Sequence, residues 1–204
     1  GRHLQLRTML SADLDAVVAL DAATYEGSAH TPWTRTMFAS ELTQPQRSWW
    51  VAHDQGRVIG FAGGRLAGAD FEVLDVVVSA DHRRGHVASR LVARIAYDGQ
   101  AFGASTISLE VDEHNAAGQA LYGSLGFVKV GERPGYFGPD AKGKFHTALI
   151  LQAKLPLQAD AKLMAQLPEP SASIRPWPIV PAPRNAASRQ KIEAAGDLVL
   201  AIES

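Results

Sequence analysis

The chain has 204 residues, of which 46% are hydrophobic and 20% charged, with a formal net charge of -1 and no cysteine. That size and balance admit one good-sized core plus additional chain, and exclude fibrous or collagen-like structure. The near-neutral charge gives no basis for direct nucleic-acid or membrane-surface binding, and the lack of Cys excludes disulfides, thiolate metal sites and a Cys nucleophile.

No apolar run approaches the ~18 residues of a membrane span, and no signal-peptide pattern opens the chain, so a cytoplasmic location is expected. Leu4 and Leu6 alternate with polar residues as a short strand. Ser11 is then placed to cap a helix carrying Leu14, Val17, Val18 and Leu20 on its apolar side. Thr31-Pro32-Trp33-Thr34 interrupts it, and Thr34 can cap a second helix through Phe38 and Leu42. Trp49 to Ala52 and Val58 to Ala62 flank the hairpin signal Asp54-Gln55-Gly56. A turn at Ala67-Gly68-Ala69-Asp70 leads into a third strand, Phe71 to Ser79. Gly60, Gly63 and Gly64 mark a bulge or a close backbone approach on the second of these strands.

The stretch Val73-Leu74-Asp75-Val76-Val77-Val78 reads as a buried strand, and Val87, Leu91, Val92, Ile95 and Ala96 recur at helical spacing up to Gly103. Between them lies Asp81-His82-Arg83-Arg84-Gly85-His86-Val87-Ala88-Ser89, a strand-to-helix turn. A helix N-terminus leaves backbone N–H groups unpaired and partly positive, which suits a phosphate ester; an ordinary turn with solvated arginines is the plain alternative. Thr106 to Asp112 alternates, with Ile107, Leu109 and Val111 on one face and Ser108, Glu110 and Asp112 on the other. Asn115 can cap a helix holding Ala117, Leu121 and Leu125, which Gly126 ends. Phe127 to Val130 and His146 to Leu151 complete the strands. Strand, helix and next strand form a βαβ unit, so an α/β (α+β) mixed sheet with helices is expected over residues 1–155. Seven of the eleven prolines lie between 156 and 183, so 156–196 reads as a Pro-rich linker with a helix at 159–166. Residues 197–204 are a lone apolar strand.

The order and spacing of these segments resemble the GNAT acyl-CoA-dependent N-acetyltransferases, most closely the ribosomal-protein-alanine (RimI-type) branch. The matching stretches are Ala12 to Asp15, Pro32-Trp33, Leu74 to Val78, Arg83-Arg84-Gly85, Ser108 to Val111, Asn115 to Ala117 and Ala120 to Phe127. The resemblance implies the GNAT fold: a twisted, mostly antiparallel mixed sheet of about seven strands, flanked by about four helices and splayed to admit acetyl-CoA. It implies acetyl transfer to a protein N-terminal α-amine, that of a small-subunit ribosomal protein by analogy, with acetyl-CoA as cosubstrate and no metal. By the same resemblance Glu110 is the general base and Tyr122 the general acid. Without the resemblance, Glu110 on the polar face of a strand is in the ordinary case a solvated carboxylate, and Tyr122 is equally a packed tyrosine with its hydroxyl in water. The implied cofactor contacts are the backbone of Val76, Val77 and Val78, the turn residues Arg83, Arg84, Gly85, His86, Val87, Ala88 and Ser89, and Asn115, which can also cap its helix. Trp33 and Tyr136 match acceptor-side aromatics, Tyr136 being equally a loop anchor.

The turn departs from the family pattern Arg/Gln-x-x-Gly-x-Gly/Ala. Read from Arg83 it places His86 where Gly is usual; read from His82 it keeps Gly85 but loses the last small residue. Helix phase favours the first. Rival functions are a GNAT acting on a small-molecule amine and a weakly active GNAT module serving as a scaffold. Residues 197–204 resemble the first strand of the tRNA threonylcarbamoyladenosine-synthesis family, which implies a fused tRNA-modification domain of which the chain holds only the start.

Overall fold

The computed structural model describes residues 4–158, apart from Ala29 and Arg84. Most of the Pro-rich linker, the helix expected at 159–166 and the strand at 197–204 lie outside the described residues. Strand β1 (Leu4–Thr8) leads through a single 3-10 turn, Ser11–Asp13, into helix α1 (Leu14–Tyr25). Ser11 is not the cap expected of it. The Asp13 carboxylate accepts the Leu10 N–H at 2.8 Å and is gripped by Arg7 at 2.6 and 2.7 Å. A charged acceptor with its own cation outcompetes a neutral hydroxyl at a helix start. Helix α2 (Arg35–Leu42) starts as expected, with the Thr34 side chain accepting from the Met37 N–H.

Strands β2 (Arg47–Asp54), β3 (Arg57–Ala67) and β4 (Asp70–Val78) continue β1 as an antiparallel meander. Both halves of the glycine expectation hold on β3. A Cβ on Gly63 would sit 1.9 Å from the Trp49 ring, and beside Gly60 the β2–β3 register shifts so that Ile59 is an extra residue on β3. Opposite Gly63 and Gly64 the β3–β4 register also slips, with the extra residue on β4. Helix α3 (Val87–Ala101), strand β5 (Thr106–Asp112), helix α4 (Ala116–Ser124) and strands β6 (Val128–Phe137) and β7 (His146–Lys154) follow. The sheet order is β1-β2-β3-β4-β5-β7-β6, antiparallel throughout except for β4–β5. Strand β6 runs on past Val130 to Phe137, so Tyr136 stands at the irregular end of a strand and not in a loop.

Helices cover both faces of the sheet, and two adjacent tryptophans show why. Trp49 and Trp50 are both 1% exposed although neighbours on a strand point to opposite faces. Trp49 packs edge-on to Phe38 of α2 at 5.7 Å. On the other face Trp50 donates its indole N–H to Asp98 of α3 at 2.8 Å, beneath the Arg94 guanidinium at 4.2 Å. Asp98 also accepts from Ser48 at 2.6 Å, and these donors partly offset the burial that raises its pKa.

The feature that positions the site is a failure of pairing. Strands β4 and β5 are joined only from Asp70–Glu72 to Thr106–Ser108, where the Asp70 carboxylate accepts the hydroxyls of Thr106 and Ser108. Beyond that pin each strand follows its other neighbour, β3 or β7, and the sheet opens into a wedge.

Candidate active site

The wedge holds a cavity of about 790 Å³, walled by the end of α1, the loop after it, β4, β5, α4 and β6. Its floor is set by the slip in β4. Gly63 faces Asp75 and Gly64 faces Val73, so Leu74 is an extra residue with no partner. One extra residue reverses the alternation of side chains. Before it, Phe71 packs on α3, where a Cβ on Gly99 would come within 2.6 Å of its ring. After it, Val77 pairs with Phe61, whose ring meets Phe38 of α2 at 5.6 Å. Asp75 thus turns to the α1 face, where the Tyr25 hydroxyl donates to it at 3.1 Å. Since β4 bonds only β3 here, alternate N–H and C=O groups of residues 73–78 face the wedge without a strand to pair with.

Of the residues singled out from the sequence, Trp33, Val76, Glu110, Asn115, Tyr122 and Tyr136 all line this one cavity. Glu110 projects from the polar face of β5, its side chain 29% exposed and its Oε1 3.4 Å from the Arg133 Nε. Tyr122 enters from α4 and is 9% exposed, packed against Phe127 at 5.6 Å. Burial, and then the neighbouring acidic group of Asp75, push its pKa up, so the phenol keeps its proton at neutral pH. Asn115 caps α4, its side-chain oxygen accepting the Gly118 N–H at 2.9 Å, and faces the cavity as well. Trp33 packs on Phe38 and Trp49. Tyr136 is exposed under the Arg133 guanidinium at 5.2 Å. Val77 is buried in the core and Val78 is packed against it, so only their backbone is offered to the wedge.

The turn residues Arg83, Gly85, His86, Val87, Ala88 and Ser89 stand apart from the cavity, at the N-terminus of α3. Arg84 lies outside the described residues. His86 takes φ 60° and ψ 21°, the left-handed conformation that favours glycine, whereas Gly85 does not. The left-handed backbone at 86 favours the reading from Arg83, in which His86 stands where the family pattern has Gly. No side chain caps α3, and its first internal bond runs from the Arg90 N–H to the His86 carbonyl at 3.1 Å. The N–H groups of Val87, Ala88 and Ser89 consequently have no partner within the helix, which fits an anionic pyrophosphate.

Two groups were missed. Asp21 and Asp75 are buried carboxylates beside the cavity, and each had a signal: Asp21 lies four residues after Val17 on the apolar side of α1, and Asp75 interrupts a run of apolar residues. The second is His146, held between Asp112 at 2.6 Å and Asp140 at 2.9 Å near the mouth of the cavity. Its partners are too far apart in sequence for spacing to reveal them.

A sheet splayed beside an unpaired strand, with a carboxylate and a phenol lining the opening, is a framework suited to acyl transfer. Residues 14–127, more than half of the chain, match the acetyltransferase (GNAT) family, and the chain belongs to it. It is an acyl-CoA-dependent N-acetyltransferase. N-alpha-acetyltransferase RimI of Mycobacterium tuberculosis is 30% identical over 137 residues, 64% of this chain and 84% of that protein. An uncharacterised protein of Mycobacterium leprae is 30% identical over 141 residues, 66% of this chain, but the match spans only 38% of its length. The crystal structure of the ribosomal-protein-S18-alanine N-acetyltransferase from Escherichia coli superposes with a TM-score of 0.64 over 74% of this chain and 94% of that one, at 24% identity.

Proposed function

We propose that this enzyme, acting in the cytoplasm, transfers acetyl from acetyl-CoA to the α-amine of a protein N-terminus, of the ribosomal-protein alanine type, by direct attack. The observation that carries the reading is that Glu110 of β5 and Tyr122 of α4 line one cavity together with the stretch of β4 that β5 leaves unpaired. The names and coverage of the relatives support the acceptor class.

Acetyl-CoA would lie along β4, its pantetheine arm on the free backbone groups of Val76 to Val78 and its pyrophosphate on the amides that open α3, flanked by Arg83 and His86. Asn115 borders the same channel. An acceptor arriving as an ammonium gives a proton to Glu110, directly or through water, and the freed nitrogen attacks the thioester carbonyl carbon. Charge developing on the carbonyl oxygen meets the β4 backbone N–H groups. As the C–S bond breaks, the thiolate takes the Tyr122 proton, which burial has kept in place, and the second proton lost by the acylated nitrogen returns to the Tyr122 oxygen, so that the amide and free CoA leave with Tyr122 restored. Trp33 and Tyr136 flank the acceptor's path.

Glu110→Gln keeps the shape of the side chain and removes the base. Its kcat on an alanine-terminated peptide at neutral pH should fall by about a hundredfold, with KM for acetyl-CoA unchanged. Undiminished turnover would remove Glu110 from the mechanism.

A further inference from the structure

Asp21 on α1 and Asp75 on β4 are 0% and 5% exposed, and neither has a cationic partner among the described residues. One oxygen of each is satisfied: Asp21 Oδ2 accepts the Trp33 N–H at 2.8 Å, and Asp75 Oδ1 accepts the Tyr25 hydroxyl at 3.1 Å. Asp21 Oδ1 and Asp75 Oδ2 are buried and receive no donor from any other group. The two carboxyl groups interact directly, and a hydrogen bond between their otherwise unpaired oxygens needs a proton that two carboxylates do not carry. Two ionised carboxylates in contact inside a protein would also repel strongly.

We propose that Asp21 and Asp75 share a single proton, and that this proton is a positioning device for acetyl transfer, locking the acceptor-side wall of the cavity onto β4. The wall consists of Tyr25, bonded to one carboxyl, and Trp33, whose backbone is bonded to the other. Both line the cavity beside the reacting groups. The bond joins α1, the loop after it and the slipped segment of β4 at one point. Burial and the neighbouring carboxylate both hold the Asp75 proton well above the usual carboxylate range. The other titratable groups facing the pair leave the shared proton in place. Tyr25 and Tyr122 stay protonated because burial raises both, and burial lowers His30, which stacks on Tyr25 at 4.0 Å and is neutral at pH 7. Glu110 stands across the cavity on β5.

The sign of the pH effect follows. Because the folded pair binds its proton more tightly than an unfolded Asp, stability falls as pH rises from the ordinary value of 3.8 up to the pair's raised value. Above that value the pair carries two negative charges and the wall is released. The inference rests on acetyl transfer by this cavity and not on the identity of the acceptor. Asp75→Asn replaces the shared proton with an amide N–H, which bridges the same oxygens and does not titrate. In the wild type, kcat/KM should decline by about tenfold per pH unit above the pair's value. In Asp75→Asn that alkaline limb should be missing when both are measured with the same acceptor. Coincident pH profiles would overturn the proposal. A second measurement needs neither turnover nor a variant that folds well: infrared spectra of the full chain at pH 7 should show the carbonyl band of a buried protonated carboxyl. Its absence from the wild type would equally overturn it.

Discussion

His86 shows how a single backbone angle decides between two readings of a motif. The sequence offers two alignments of the turn, and both satisfy the charge and length that a pyrophosphate needs. Only the left-handed φ at 86 separates them, and a side chain in that conformation costs about 1 kcal/mol. His86→Gly should therefore raise stability by about 0.5–1 kcal/mol, read from denaturant melts, and tighten acetyl-CoA binding by giving the pyrophosphate closer access to the amides. Weaker binding by the glycine variant would instead assign the imidazole a direct contact with the phosphates. At this scale the sequence was legible where a residue's structural task is local. Thr34 and Asn115 cap the helices expected of them, because a short polar side chain before an apolar-periodic run has few other uses. It failed at Ser11, where the deciding partner, Arg7, sits on the preceding strand.

Among the elements, the β4–β5 pair explains both the wedge and its contents. A parallel pair begun at Asp70 and abandoned after Glu72 is not written in the local pattern of either strand, since each is apolar and regular by itself. Nor does alternation along 73–78 reveal which face Asp75 takes, because the slip at Leu74 reverses it. The loop between β6 and β7 is fastened to the end of β5 by a second device. His146 gives one ring nitrogen to Asp112 and the other to Asp140, an arrangement that needs both nitrogens protonated. The bond to Asp140, aided by Asp112, raises the His146 pKa. The Lys144 N–H, and next the His146 ring, hold Asp140 down at about 2. For a raised histidine the stabilisation is complete below the unfolded value of 6.5 and is lost as pH climbs through the folded value. Asp140 contributes above 3.8, and that part is lost only as pH falls toward about 2. Melting temperatures of wild type and His146→Gln should thus differ most at about pH 6 and converge at about pH 9. A gap that stays constant across that range would contradict the charged clasp.

For the molecule as a whole, the seven strands, the four helices and the family were within reach of the sequence, because the periodicities of β5, α3 and α4 are strong and the segments fall in a recognisable order. The placing of β7 between β5 and β6 was not. Which residues meet across the wedge was legible for Glu110, Asn115 and Tyr122, through resemblance and not through pattern. The buried acid pair was not, since its members lie 54 positions apart on a helix and a strand whose packing no local rule specifies. Acetylation of a protein N-terminal α-amine is the work proposed for the cavity. The decisive measurement follows CoA release from acetyl-CoA with four acceptors: a peptide with a free N-terminal alanine, the same peptide N-terminally blocked but carrying a lysine, a polyamine and an aminoglycoside. Turnover on the free N-terminus should exceed that on each of the other three by at least about tenfold in kcat/KM. Preferred turnover of the polyamine, the aminoglycoside or the blocked peptide would contradict it.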